Sequence, residues 1–461
     1  MTRSAGPRHH AIIGDGATAA AFATHVPLDP GDGLTIIGPG PAPGQFGRGL
    51  AYPDPGRGCL WRDAYLLNSP AEAVEPDFVP WVRERWDRIF PRISAVPGWV
   101  ALNTGHLQAM DIAAMFLPRS IFGDFLVERA EAGLERQEAR GVILTRIGTR
   151  ATGIEQAETG FRVPLSDGAQ IEADSVDVAT GAPRQGGRLG FALHGNEDAI
   201  LDRLRPGAPI VCIGANATML DLIRLIRCKL CRDDVDLTIL TLSGRLPEPL
   251  VWERPRRAPV TPRIAGPFGT AEEFLTALQA EITGFRAAGA VMAELRSGYR
   301  AFFDRHPLAT LVPDQEEARK LPSDLGRILR VGSHETMVEF ERLRQDNRLR
   351  LGPAPNRVEE TGEGWQVWTG GKTIAADLVI DATGAAPGDL DPLAADLVAR
   401  GWLEAHPSGI AVGPALEARV PGLRYLSPSV SEIGDVILPL PLYDVCDLAR
   451  LAQTAAQTET A

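Results

Sequence analysis

The sequence predicts an α/β protein with two parallel-sheet units, each closed by a β-meander, and a mostly helical insertion in the second unit. Three observations predict it. A short apolar strand runs into a glycine turn and a helix twice, around Gly14 and around Gly214. A pattern of strand, turn, strand and apolar strand ending in Ala-Thr-Gly also occurs twice, over 161–183 and 365–387. The spacing repeats with it: Gly14 precedes Gly181 by 167 residues, and Gly214 precedes Gly384 by 170.

The first unit opens with an apolar strand, His10 to Ile13, with His9 and His10 at its start read as solvent-facing. Gly14-Asp15-Gly16-Ala17-Thr18-Ala19 follows, then an alanine-rich helix to about Val26 and a second strand over Leu34–Gly38. Strand, glycine turn, helix and strand in that order make a βαβ unit. Gly14 allows the tight turn, Gly16 lets the backbone approach a pyrophosphate, and Ala19 lets the helix pack close to the strand. A pyrophosphate would lie against the helix N-terminus, where unpaired N–H groups and the dipole favour anions. The unit closes with a hairpin turning at Asp167-Gly168 and a strand ending at Ala179-Thr180-Gly181.

The second unit repeats the device. Pro209–Ile213 is an apolar strand, Gly214-Ala215-Asn216-Ala217-Thr218 the turn, Met219–Leu230 a helix and Leu237–Leu242 the next strand. Asn216 stands in place of the second glycine; it tolerates a left-handed backbone but crowds a phosphate. The meander turns at Gly370-Gly371 and ends at Ala382-Thr383-Gly384. Asp381 reads as a strand-end hydrogen-bonding residue and not as a general base. The insertion covers about 250–345, with a proline-rich basic stretch at 251–269 and helices at 271–289 and 292–306. Its Arg254, Arg256, Arg257 and Arg263 read as a solvated loop, with an anion-contacting lid as the alternative. After Pro387 the chain is expected to return to the first unit and end in a helix starting near Leu442. Two Rossmann-like domains follow: 1–185 with 388–461, and 186–387.

Composition narrows the function classes. Hydrophobic residues are 44% and charged residues 23% of 461, an ordinary globular balance. The formal charge of −12 makes nucleic acid a poor partner, because the diffuse positive field that supplies such affinity is missing. Three of the 47 basic residues are lysines (Lys229, Lys320, Lys372), which leaves little room for Schiff-base chemistry. Five scattered cysteines make no disulfide framework and point to a reducing compartment. Cys228-Lys229-Leu230-Cys231 lacks the second pair a zinc site needs and reads as the end of an apolar helix. Gly14, Asp15 and Gly16 interrupt the apolar run a signal peptide requires, and no window is long and apolar enough to span a membrane. A cytoplasmic location is the expectation. No His-Glu-x-x-His or comparable spacing occurs, so no catalytic metal is expected. His306 and His334 read as packed or surface residues, or as cleft-facing ones.

Five segments together resemble the bacterial FAD-NAD(P)-binding family, within the flavoproteins with two dinucleotide-binding domains. They are Gly14-x-Gly16, Gly47-Arg48-Gly49-Leu50-Ala51-Tyr52, Leu66-Leu67-Asn68-Ser69-Pro70-Ala71, Pro118-Arg119-Ser120-Ile121-Phe122-Gly123-Asp124-Phe125-Leu126 and Ala217-Thr218-Met219-Leu220-Asp221. The resemblance implies FAD in the first domain and NAD(P)H in the second. It places Gly47, Gly49, Tyr52 and Asn68 beside the flavin, with a turn before Ser-Pro as the alternative role for Asn68. Thr180, Gly181, Thr383 and Gly384 would line the two cofactor sites, and Leu442 would begin a helix whose N-terminus stabilises charge at the flavin. Three positions depart from the pattern. The acidic residue that usually ends the second strand and grips the adenosine ribose is Gly38 here. Asn216 replaces a glycine, and the arginine-rich turn for a 2′-phosphate is reduced to Ser243-Gly244-Arg245.

The leading expectation is an FAD-dependent oxidoreductase, most concretely an NAD(P)H-using monooxygenase that passes oxygen from a C4a-hydroperoxyflavin to a small molecule. That chemistry needs no protein nucleophile, and no catalytic side chain is assigned. The alternatives are an FAD dehydrogenase or oxidase without external nicotinamide, and a binding protein whose cofactor sites have decayed.

Overall fold

Strand β1 (His9–Ile13), helix α1 (Ala17–His25) and strand β2 (Gly33–Ile37) form the first crossover. The computed structural model describes residues 6–52, 54, 60–182, 188–242, 244–251, 257–362, 364–384, 389–440 and 445–458. Short helices between 60 and 114 precede the long helix α2 (Arg119–Ala139), strand β3 (Ile143–Ile147) and, after a hairpin, strand β4 (Ser175–Val178). The second half contains β5 (Phe191–Ala192), β6 (Pro209–Ile213), α3 (Ala217–Arg227) and β7 (Asp236–Thr241). Helices α4 (Ala271–Ala287), α5 (Met292–Phe303) and α6 (His334–Gln345) follow, then β8 (Leu349–Pro353) and β9 (Leu378–Asp381). The chain ends with α7 (Pro392–Ala399), β10 (Leu423–Tyr425) and α8 (Val445–Thr458).

The two five-stranded sheets have equivalent orders, β10-β4-β1-β2-β3 and β5-β9-β6-β7-β8. Every pairing within them is parallel. In each, the strand that runs into Ala-Thr-Gly lies beside the strand that runs into the glycine turn, which is why the two sequence echoes travel together. The returning chain adds β10 to the outer edge of the first sheet, so that sheet is built from both ends of the sequence.

Small residues set the spacing on the first sheet. Ala19, Ala20, Ala21 and Ala23 bury α1 between the sheet and neighbouring helices. On α2, a side chain at Gly133 would come 2.1 Å from Thr24 Cγ2, so glycine permits the close approach of α1 and α2. Leu448, Ala452 and Ala455 of α8 join the same core.

His10 is not solvent-facing. It lies within β1, 3% exposed, with Nε2 2.8 Å from Asp177 Oδ2 on β4. Arg424 of β10 donates to the same carboxylate through Nε at 2.6 Å and Nη2 at 2.8 Å. Burial alone would raise the Asp177 pKa, but the charges of His10 and Arg424 hold it down at about 2. His9 is half-buried and hydrogen-bonded to Thr35 at 2.7 Å. Single-strand polarity suggested a solvated start; the carboxylate and guanidinium that meet at His10 come from strands far away in sequence.

The insertion is zipped at its base by parallel pairing of Glu248–Leu250 with Val331–Ser333. Its helices form their own core around Phe274, Leu295, Tyr299 and Leu325. Arg319 donates to Glu432 at 2.8 Å and Arg300 to Asp447 at 2.7 Å, docking the insertion on the returning chain. Arg263 is exposed and its backbone N–H donates to Glu281, while Arg257 lies 3.7 Å from Glu294. Arg254 and Arg256 lie outside the described residues.

Candidate functional site

The first glycine turn is fixed by its neighbours. Gly14 has φ +137° and donates its N–H to Ile37 O at 2.8 Å. A side chain there would come 2.3 Å from Ala179 O, so the turn is glycine-only. Gly16 is the N-cap of α1, and no side chain caps the helix. The first amides of α1, at Ala17 and Thr18, therefore retain the donors that suit an anion.

The second segment lands on this turn. Gly47 N donates to Asp15 O at 2.9 Å. Gly49 has φ +55°, and a Cβ there would come 3.0 Å from Gly16 Cα. Gly47, with φ +102°, faces Leu126 O on α2. Between them Arg48 turns inward, 8% exposed, and pairs with Asp124. Arg92 donates to Asp124 at 2.7 Å and to Asp63 at 2.8 Å, and Ser120 donates to Asp63 at 2.5 Å. Gly123 has no room for a side chain either, since a Cβ would come 2.8 Å from Tyr52 O. Tyr52 sets its ring edge-on to Phe122 at 5.2 Å.

Asn68 is exposed at a bend. The strand-like stretch before it is held by Leu67 N–H to Leu117 O at 2.9 Å, and by Arg119 Nε–H to Leu66 O at 3.0 Å. Arg119 also donates to Asp221 on α3 at 2.8 Å, which ties this stretch to the second unit. Asp221 is fully buried and accepts from Arg224 as well, at 3.1 Å. A small cavity of about 90 Å³ lies alongside, with Leu66, Trp99, Ile223 and Glu335 in its wall. Burial raises the Glu335 carboxyl to about 7, and its Oε2 has no hydrogen-bond partner among the described residues.

The second glycine turn repeats the first. Gly214 has φ +107°, donates to Leu240 O at 2.8 Å, and would place a Cβ 2.2 Å from Ala382 O. Asn216 differs from the expectation. Its φ of −120° is extended and not left-handed, and its side chain accepts from Thr218 N at 2.9 Å. The N-cap thus fills an amide that the glycine of the first turn leaves open, and it starts α3 at Ala217, two residues before the expected Met219.

The Ala-Thr-Gly ends are held differently. Thr180 donates to Asp391, which also caps α7 by accepting from Leu393 and Ala394. Thr383 donates both its N–H and its hydroxyl to Asp381, and Leu189 N donates to the other carboxylate oxygen. Asp381 is a strand-end anchor. Gly181 and Gly384 have φ of +80° and +88°. Arg245 is exposed, and Ser243 and Leu442 lie outside the described residues. His334 is exposed, with its pKa lowered by desolvation, and His306 lies against the Phe302 ring at 4.5 Å. Cys228 is half-buried, its thiol pushed up to about 12 by burial, and Cys231 is exposed. No helix among the described residues is long and apolar enough to cross a membrane, and no cluster of three His, Cys, Asp or Glu among them could hold a metal.

Sequence reasoning missed Asp15, Asp391 and the network of Asp63, Arg92 and Asp124. Asp391 carried a readable signal, an acidic residue before Pro-Leu-Ala-Ala. The buried ion pairs had none, since their partners lie on different elements.

Residues 11–183 match the model of a family described as FAD-NAD(P)-binding. No curated protein matches the chain in sequence. Solved structures resemble it along its whole length. The L-lysine 6-monooxygenase of Pseudomonas syringae is 13% identical with a TM-score of 0.55, covering 98% of this chain and 99% of that one. The ornithine N-hydroxylase of Kutzneria sp. 744, in a structure with reduced FAD, NADP+ and L-ornithine, is 14% identical with a TM-score of 0.53, covering 99% and 100%. The ornithine hydroxylase of Pseudomonas aeruginosa is 12% identical with a TM-score of 0.53, covering 98% of each chain. At these identities the likeness is one of fold. Residues 11–183 therefore resemble the FAD-NAD(P)-binding family, and the chain shares the fold of these three hydroxylating enzymes.

Proposed function

We propose that this protein is an FAD-dependent oxidoreductase, and specifically an NAD(P)H-using flavin monooxygenase acting on a small molecule. The observation that carries the reading is the uncapped N-terminus of α1 at Gly16, with bare backbone beside it at Gly14 and Gly49, where a Cβ would run into Ala179 O and Gly16 Cα. A bare helix end of this kind suits a pyrophosphate, and it lies in the segment that matches the FAD-NAD(P)-binding family. FAD bound there would supply hydride acceptance and, once reduced, reaction with O₂.

The chain's own residues bind and orient. The amides of Ala17 and Thr18 face the pyrophosphate position. Gly47 and Gly49 bring backbone close to it, Tyr52 and Asn68 border the flavin, and Thr180 with Gly181 closes the far side of the turn. In the second domain Gly214, Asn216, Ala217 and Thr218 offer the corresponding surface to a nicotinamide dinucleotide, with Arg245, Thr383 and Gly384 around it. The polar networks at Arg48 and Arg119 hold these segments in place. The fold supports this reading because it is shared with monooxygenases of ornithine and lysine; the substrate class proposed here is no finer than a small molecule.

Asn216 favours a second reading. By taking the Thr218 amide it removes one donor from the second site, as expected of a dehydrogenase or oxidase that draws hydride straight from its substrate. The visible spectrum of the purified protein, followed by anaerobic titration with NADH and NADPH, separates the readings. Bound FAD that is bleached by either nicotinamide supports the first. Bound FAD that neither bleaches supports the second. A protein that stays colourless with excess FAD overturns both and favours a binding protein with decayed sites.

A further inference from the structure

The ribose-gripping acid absent from the end of β2 has a replacement next to it. Asp15, inside the glycine turn, points its side chain at the loop that follows β2, where Oδ2 accepts the Gly40 N–H at 2.5 Å. Oδ1 accepts from no described residue. The side chain lies so close that a Cβ at Gly38 would come 2.8 Å from Asp15 Cβ, and one at Gly40 would come 3.2 Å from Oδ2. Neither Gly38 nor Gly40 has a positive φ. No left-handed backbone calls for glycine there, so it is the space taken by Asp15 that excludes a side chain at Gly38 and crowds one at Gly40. The loop is itself anchored: Gly38 N donates to Ile147 O at 3.1 Å, and Arg146 donates to Pro41 O at 2.9 Å while paired with Glu131 at 2.6 Å.

We propose that Asp15 is the residue that binds the adenosine ribose of FAD in this chain, its carboxylate moved from the strand end into the glycine turn. The proposal rests on the FAD reading above. It accounts at once for the missing acid at 38 and for the glycines at 38 and 40 in the loop that stands there. A ribose hydroxyl donates, and a carboxylate with one oxygen held by a backbone N–H and the other open is an oriented acceptor for it. Asp15 is a binding residue here and takes no part in the redox step.

The test is a cycle between protein and ligand, read by the quenching of flavin fluorescence on binding. The affinities of wild-type protein and Asp15→Ala are measured for FAD and for the analogue lacking the adenosine 2′-hydroxyl, and again for the 3′-deoxy analogue. Wild-type protein is expected to lose about tenfold in affinity when the gripped hydroxyl is removed. Asp15→Ala is expected to lose about the same for FAD, and nothing further for that analogue. The swap Asp15→Gly with Gly38→Asp returns the acid to the strand end and is expected to regain most of the affinity, which a structural role for Asp15 would not allow. It also keeps the test decisive if Asp15→Ala does not fold. Equal, additive losses in the wild type and Asp15→Ala with both analogues overturn the proposal, as does a swap that binds FAD no better than Asp15→Ala. A wild-type protein that binds no FAD at all overturns the flavoprotein reading itself, an outcome distinct from either.

Discussion

Gly49 sits directly over Gly16: a Cβ on Gly49 would come 3.0 Å from Gly16 Cα. Two segments more than thirty residues apart thereby form one surface of bare backbone, and the second is as necessary as the first. Gly49→Ala adds both the strain of φ +55° and that collision. It is expected to weaken FAD binding at least about tenfold with an unchanged far-ultraviolet spectrum. Gly105→Ala, where nothing lies within 4 Å, is the control and is expected to bind FAD normally.

Asn216→Gly removes the side chain that occupies the Thr218 amide. Glycine is a tolerable N-cap, so the expected cost is only a few tenths of a kcal/mol of stability. The freed donor is expected to tighten nicotinamide binding several-fold. Rapid-mixing measurements of flavin reduction against NADPH and NADH concentration check this through the apparent dissociation constant.

Asp177 carries an acid-side stability term. Its pKa falls from 3.8 to about 2 on folding because His10 and Arg424 outweigh its burial. The group binds protons more weakly when folded, so its contribution is present above pH 3.8 and lost as the pH falls to about 2. The loss amounts to about 2 kcal/mol. Urea unfolding between pH 5 and 2 is expected to show a shallower decline for Asp177→Asn, along with a lower starting stability because His10 and Arg424 are left buried without their counter-charge.

Glu335 acts in the opposite sense. Burial raises its carboxyl from 4.5 to about 7. The folded state holds that proton more tightly, so stability is greatest below pH 4.5 and falls by about 3 kcal/mol as the pH rises through 7. Glu335→Gln is expected to flatten this slope, as thermal unfolding between pH 5 and 8.5 would reveal.

The repeated units were legible because each rests on local pattern: apolar strand, glycine turn, alternating hairpin, apolar strand. Gly14 and Gly214 were readable for the same reason, since a strand-to-helix turn beside a third strand leaves no room for Cβ. Asn216 was visible as a departure, yet its consequence was not, because capping depends on where the side chain points once the helix has begun. His10 was misread for want of Asp177 and Arg424, which lie 167 and 414 residues further on. Gly38 shows the limit most plainly. The sequence registers a missing acid there, while only three-dimensional placement shows that Asp15 fills the space beside it.

The edge strand β10 also has a consequence for biosynthesis. The bond between Arg424 and Asp177 spans 247 residues, and it joins a sheet whose other four strands are all made before residue 179. On the ribosome that sheet waits with an open flank until nearly the whole chain has emerged, while the second sheet, contiguous from 191 to 381, has all its strands beforehand. The order of synthesis therefore favours assembly of the later sheet first, with the amino-terminal one sealed last. Ribosome-stalled chains ending before residue 423 would carry a protease-resistant second unit and a first unit still open to cleavage.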